Sequence, residues 1–292
     1  MPLTESYKQK AGNFGISFFC FAIIMILASF GCKSKPASTV AYGKNSAAGK
    51  YADVNGIKMY YEIYGEGEPL VLIHGNGGSI VSGREQIAFF SKHYKVIAVD
   101  SRGQGMSKDD SDSLTYDAMA ADINGLLDQL KIDSAFIIGQ SDGAIVGLIT
   151  AFRYPAKVKM LAAMAPNIRP DSAVLYPTVE EQGLKEFTKY EDSLKAGFKN
   201  VTSRVKLLRL MQYHPHISIE ELASVKAPVM VMCGDRDVIQ LSHIIEIFRA
   251  IPRSNLCVLP GSTHFALRKN PEVFNETIYR FFSRPFMMPN CY

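Results

Sequence analysis

The sequence predicts an α/β fold: a mostly parallel sheet with helices on both faces and an inserted helical cap. Three observations carry this expectation. Short apolar runs, many ending in loops that contain Gly, Asp or His, recur from residue 57 to residue 259. Wholly apolar runs of strand length suit strands buried on both faces. Helical patterns alternate with them, the arrangement that parallel crossovers require. The alternation pauses once, between residues 166 and 225, where the patterns are helical and no strand is evident.

Composition sets outer bounds. The chain has 292 residues, 47% hydrophobic and 21% charged, ample for one large domain with an insertion and marginal for two independent ones. The net charge of +4 is mild, and no dense Lys/Arg stripe interleaved with aromatics is present. Nucleic acid is therefore not an expected partner.

Residues 1–31 read as a targeting segment. Lys8 and Lys10 precede a continuous apolar run over residues 14–30, and Gly31 and Cys32 follow. A basic start, an apolar stretch and a small residue before the break make an export signal. With Cys32 directly after Gly31, the segment resembles a bacterial lipoprotein signal, which implies lipidation of Cys32. Ser29 and Phe30 depart from the residues usual there. The run also approaches the ~20 residues that span a bilayer, so an uncleaved anchor is the competing reading. Both readings put the rest of the chain outside the cytoplasm, in the cell envelope and held to a membrane. Residues 32–50, rich in Ser, Ala, Gly and Lys, read as a flexible spacer. The folded domain is expected over 51–292, with the cap at about 167–225.

Within that domain, residues 51–54 and 57–64 flank Asn55-Gly56, a strong hairpin signal for an antiparallel sheet edge. Parallel strands are expected at 69–73, 95–99, 135–138, 158–164, 228–234 and 256–259. Helices are expected at 83–91, 115–130, 144–152, 241–251 and 271–283. The cap shows helical patterns at 179–198, 202–213 and 218–223, the last opened by a capping box, Ser218 with Glu221. Its charges are nearly balanced, which favours a solvated helix face over a filter for anions. Cys233 and Cys257 lie in apolar runs and are expected to be buried hydrophobes. No disulfide or metal-ligand spacing is present.

The chemistry centres on Gly139-Gln140-Ser141-Asp142-Gly143, between a strand and a helix. A sharp turn there exposes the Ser141 hydroxyl and aims helical N–H groups at it. A serine hydroxyl needs a base, and the base needs an acid to fix its tautomer. Asp237 and His264 follow, each after its own strand, so all three loops meet at the carboxyl edge of the sheet. Asp235 is the weaker acid candidate, with a loop-capping role instead. His93, His214, His216 and His243 lack the placement. The oxyanion donors are expected to be the backbone N–H groups of Asp142 and Asn76. His74 is expected to shape the loop that carries Asn76. The Asp142 carboxylate, unfavourable beside a nucleophile, is expected to turn away, with Arg102 as a candidate partner. Arg169 is a weaker candidate for meeting a substrate carboxylate.

These motifs, HGNGGS at 74–79, DSRGQGMS at 100–107, GQSDGA at 139–144, GDRD at 234–237 and GSTHF at 261–265, resemble those of the α/β-hydrolase superfamily in order and spacing, over nearly all of residues 51–282. The elbow is also similar to those of biphenyl-hydrolase-like and valacyclovir hydrolases. The resemblance implies a cofactor-free serine hydrolase acting on an ester or related acyl bond of a small molecule. Aminopeptidases, thioesterases, lactonases and perhydrolases of this superfamily share the triad. A non-catalytic ligand receptor and an envelope-binding module remain the readings from other classes. Dehalogenases and epoxide hydrolases of the fold carry Asp where this chain has Ser141.

Overall fold

Runs rich in Val, Ile and Ala can pair on both edges and pack on both faces, and here they build a central sheet. The computed structural model describes residues 40–288, so the targeting segment and Cys32 lie outside the described residues. Eight strands are present among them: β1 (Gly49–Val54), β2 (Ile57–Tyr64), β3 (Pro69–Ile73), β4 (Lys95–Val99), β5 (Ala135–Gln140), β6 (Val158–Met164), β7 (Val229–Arg236) and β8 (Ser254–Thr263). Their order in the sheet is β1-β2-β4-β3-β5-β6-β7-β8. β1 and β2 pair antiparallel, as do β2 and β4, and every other pairing is parallel. The β1–β2 turn has Asn55 at φ 42° and Gly56 at φ 83°, both in the left-handed region that a tight two-residue hairpin turn demands.

Helices α1 (Arg84–Phe90), α2 (Tyr116–Gln129), α3 (Asp142–Arg153), α4 (Pro177–Lys195), α5 (Thr202–Tyr213), α6 (Ile219–Ala223), α7 (Leu241–Ala250), α8 (Ala266–Lys269) and α9 (Pro271–Phe282) fill the connections. Thr115 starts α2 by accepting the N–H of Ala118 at 3.1 Å, satisfying one of the donors that a helix start leaves unpaired. α3 is the central helix, buried without a break from Asp142 to Ala151. Its apolar side chains join those of β3, β5 and β6 in one core, each worth ~1.5–3 kcal/mol on full burial. α3 can lie so close to the sheet because Gly147 adds no side chain where Leu161 packs.

The structure refines the expected boundaries at three places. Residues 40–48 are not a free spacer. Gly43 and Asn45 donate their main-chain N–H groups to the Glu62 carboxylate at 2.9 and 2.8 Å, and the hydroxyls of Tyr60 and Tyr64 complete its shell at 2.7 and 2.8 Å. Composition missed this because the partner is a buried charge on β2 rather than an apolar face. Within the inserted region, α4 and α5 pack on one another, whereas α6 packs on α3 and α7 of the body. β7 and β8 outrun their apolar stretches: a register shift between Gly234 and Arg236 lets pairing continue to Arg236 and Thr263. Among the described residues, no helix is long and apolar enough to cross a membrane.

Candidate active site

Strand order decides which loops meet. Ile73 at the end of β3 lies beside Gly139 of β5, and Gln140 lies beside Met164 of β6, so the loop after β3 and the turn after β5 leave the sheet as neighbours. Ser141 sits at the tip of that turn with φ 54° and ψ −119°, a conformation costing about 1–3 kcal/mol for a residue with a side chain. The surroundings hold it there. A Cβ on Gly139 would overlap the carbonyl of Gly143, and one on Gly143 would overlap the carbonyl of Ile73. Only glycines at both places let strand, turn and helix close so tightly.

The loops after β7 and β8 bring the acid and the histidine together. Asp237 is buried; its Oδ1 lies 2.8 Å from His264 Nδ1. Its remaining acceptor capacity is taken by the N–H groups of Gly234 at 3.1 Å and Ile239 at 3.2 Å. Such a carboxylate only accepts, so the imidazole proton sits on Nδ1 and the Nε2 lone pair is left for another proton. Gln140 donates to the carbonyl of His264 at 3.3 Å, tying the histidine loop back to the elbow. Asp235 faces the other way, accepting the N–H of Ser262 at 3.0 Å. Main-chain donors, that of Gly261 foremost, hold its carboxyl below the ordinary value. The structure therefore pairs Asp237, not Asp235, with the histidine.

Ser141, Asp142 and His264 line one cavity of about 250 Å³ between the sheet edge and the cap. Val174, Leu175, Val179, Phe187, Leu208 and Met211 give it an apolar wall. This arrangement of a left-handed serine turn, a histidine–aspartate pair and a helical cap over a parallel sheet agrees with the family comparison: the family model described as alpha/beta hydrolase fold matches residues 68–216. The chain belongs to the α/β-hydrolase family. It is 24% identical over 259 residues to a putative carbamate hydrolase, RutD, of Azorhizobium caulinodans, covering 79% of this chain and 97% of that protein. Among solved structures it is similar to the meta-cleavage product hydrolase of Pseudomonas fluorescens IP01, with TM-score 0.66 and 24% identity over 81% of this chain and 98% of that one. The enol-lactonase of Burkholderia xenovorans LB400 matches with TM-score 0.67 and 23% identity over 80% and 100% of the two chains. At this identity the two structures speak for the fold, and the chain is a hydrolase of that fold.

For this α/β-hydrolase, the loop after β3 is shaped as its residues lead one to expect. His74 is buried, with Nδ1 2.7 Å from the carbonyl of Gly75 and Nε2 accepting the N–H of Ser101 at 3.0 Å. Those partners require a neutral ring with its proton on Nδ1, and burial lowers its pKa to about 4. Gly77 donates to Gln104 Oε1 at 2.7 Å. The main-chain N–H groups of Asn76 and Asp142 have no main-chain acceptor among the described residues, although that of Asp142 also faces its own carboxylate.

Two expectations about charges need correction. Asp142 does not pair with Arg102. That guanidinium binds Asp122 at 2.6 and 2.8 Å and Asp109 at 3.1 Å, two carboxylates whose side chains are buried. The Asp142 carboxylate accepts instead from Asn76 Nδ2 at 2.9 Å, and the Tyr116 hydroxyl faces it too. Burial raises its pKa from 3.8 to about 6, against the lowering effect of Asn76, Tyr116 and His264. Arg169 does line the cavity, but Glu246 holds it through two bonds at 2.7 and 2.8 Å and Asp171 through a third at 2.7 Å. It is not poised for a substrate carboxylate. His243, set aside as structural, accepts the N–H of Ile168 at 3.2 Å. Tyr116 and the Asn76 side chain were missed by sequence reasoning, since nothing local to either marks its partner.

Proposed function

We propose that the chain is a serine hydrolase that cleaves an ester or related acyl bond of a small molecule through an acyl-enzyme intermediate. The observation that carries this is the Asp237–His264 pair at 2.8 Å, sharing a cavity with a serine on a left-handed turn. His264 Nε2 takes the Ser141 proton as Oγ attacks the carbonyl carbon. The N–H groups of Asn76 and Asp142 receive the oxyanion, helped by the N-terminus of α3. The imidazolium, steadied by Asp237, then hands the proton to the leaving oxygen. A water molecule repeats the sequence on the acyl-serine and frees the acid. No step calls for a metal or cofactor.

The apolar wall and the modest volume favour a compact apolar acyl group. The same machinery opens a lactone or cleaves a carbamate, and a carbamate hydrolase and an enol-lactonase among similar proteins are the reason to try both. We also propose that the domain acts outside the cytoplasm, held to a membrane through Cys32 or the apolar run before it. Palmitate labelling that persists in Cys32→Ala would defeat the lipid reading.

The central test pairs fluorophosphonate labelling with hydrolysis of p-nitrophenyl esters, lactones and carbamates. Ser141→Ala is expected to lose labelling and at least 10³-fold in kcat on whichever substrate turns over. Full activity in that variant would overturn the mechanism.

A further inference from the structure

A carboxylate beside the nucleophile ought to work against the oxyanion. Asp142 does not point its charge that way: its side chain is buried and occupied. Asn76 Nδ2 spends one proton on Asp142 Oδ2 at 2.9 Å and the other on the carbonyl of Leu207, in cap helix α5, at 3.2 Å. The amide oxygen of Asn76 is buried with no partner. Turning the amide over would set that oxygen against a carboxylate and a carbonyl, both acceptors, so the two donor bonds alone dictate its orientation. One side chain thus joins three elements: the loop after β3, the elbow and the cap.

The other bonds of this loop fix its flanks rather than Asn76: His74 lies 2.7 Å from the Gly75 carbonyl, and Ile80 donates to Asp100 at 2.8 Å. Gln104 holds Gly77 from the β4 side at 2.7 Å, and Gly78 donates to Gly75 at 3.0 Å within the loop. None of these bonds touches Asn76 itself, whose side chain is the part of the loop that reaches the elbow and the cap.

We infer that Asn76 is a positioning residue whose side chain, clamped by Asp142 and by the Leu207 carbonyl, sets the place of its own main-chain N–H relative to Ser141 and makes that placement depend on the seating of the cap. This rests on the hydrolase reading above for the use of the N–H, though the clamp itself does not. It gives Asp142 a purpose: the residue supplies an acceptor, and its charge is incidental to the reaction.

The test compares Asn76→Ala, Asp142→Ala, their double variant and Asp142→Asn in the full chain. The readouts are the rate of fluorophosphonate labelling, kcat and KM on the best ester, and the main-chain amide signals of Gly75 and Gly77 by NMR. Removing an oxyanion donor outright costs about 10²–10³ in kcat, and displacing one should cost less. Each alanine variant is therefore expected to lose about 10- to 100-fold in labelling rate and kcat, with KM within about threefold. The double variant is expected to be no worse than the weaker single one, because both cut the same strut. Asp142→Asn keeps an acceptor for Asn76 and is expected to recover most of the labelling rate and kcat that Asp142→Ala loses.

Additive losses, native rates in Asn76→Ala, or an Asp142→Asn as damaged as Asp142→Ala would each overturn the inference. Should the native chain neither label nor hydrolyse any ester, the hydrolase reading falls while the NMR comparison still decides the clamp. Gly75 and Gly77 signals that shift in Asp142→Ala and return in Asp142→Asn uphold it; signals unmoved in Asp142→Ala refute it.

Discussion

Replacing Asp142 by Asn should shift stability towards the variant by an amount that grows with pH. The carboxyl titrates near 3.8 when exposed and near 6 in the folded chain, chiefly because it is buried. The folded state then holds the proton more tightly than the unfolded state, so stability is greatest below about pH 4 and declines as pH rises towards 6. Each tenfold difference in proton affinity is 1.36 kcal/mol. The penalty therefore reaches about 3 kcal/mol at pH 8 and only about 1 kcal/mol at pH 4.5. Asn carries no such penalty, and its other effects on packing and hydrogen bonding do not vary with pH. The stability difference between Asp142→Asn and the native chain is thus expected to move by about 2 kcal/mol, in favour of Asn, from pH 4.5 to pH 8. Urea unfolding of both proteins at the two pH values measures it, with native m-values as the control for two-state behaviour. A difference that stays constant, or that shrinks as pH rises, would refute the argument that burial governs this carboxyl.

Two further predictions concern the scaffold. Gly143→Ala places a methyl group on the carbonyl of Ile73 and is expected to prevent native folding or to lower the urea midpoint by the equivalent of more than 3 kcal/mol; a native midpoint would show that the elbow can open. Arg102→Met strands Asp109 and Asp122, whose side chains are 2% and 1% exposed. It is expected to cost about 3–5 kcal/mol in the same assay, with Asp109 partly served by Lys206 at 3.0 Å.

The parts legible in the sequence were those written in local patterns. Apolar runs alternating with helical periods marked β3 to β8, and the Asn55-Gly56 turn marked the β1–β2 hairpin. Ser141, Asp237 and His264 stood out because each follows a strand directly, so the loops that the structure brings together could be named before any contact was known. Asp142 could not be explained in that way: Tyr116 and Asn76 reach it from elements far along the chain, and no spacing rule links them. Arg169 misled for the same reason, since Glu246 lies on α7. The ends of β7 and β8 were placed short because a register shift, rather than hydrophobicity, carries the pairing onward.

The Glu62 carboxylate has a mechanical consequence. A tension applied at residue 40 would not begin by peeling β1 from the sheet edge. It would first meet the bonds from Gly43 and Asn45 to a side chain with no solvent exposure. A chain shortened to begin at residue 51 would lose two of the four donors to that carboxylate and uncover it at the sheet edge. The smallest robust version of the domain therefore starts ahead of residue 43.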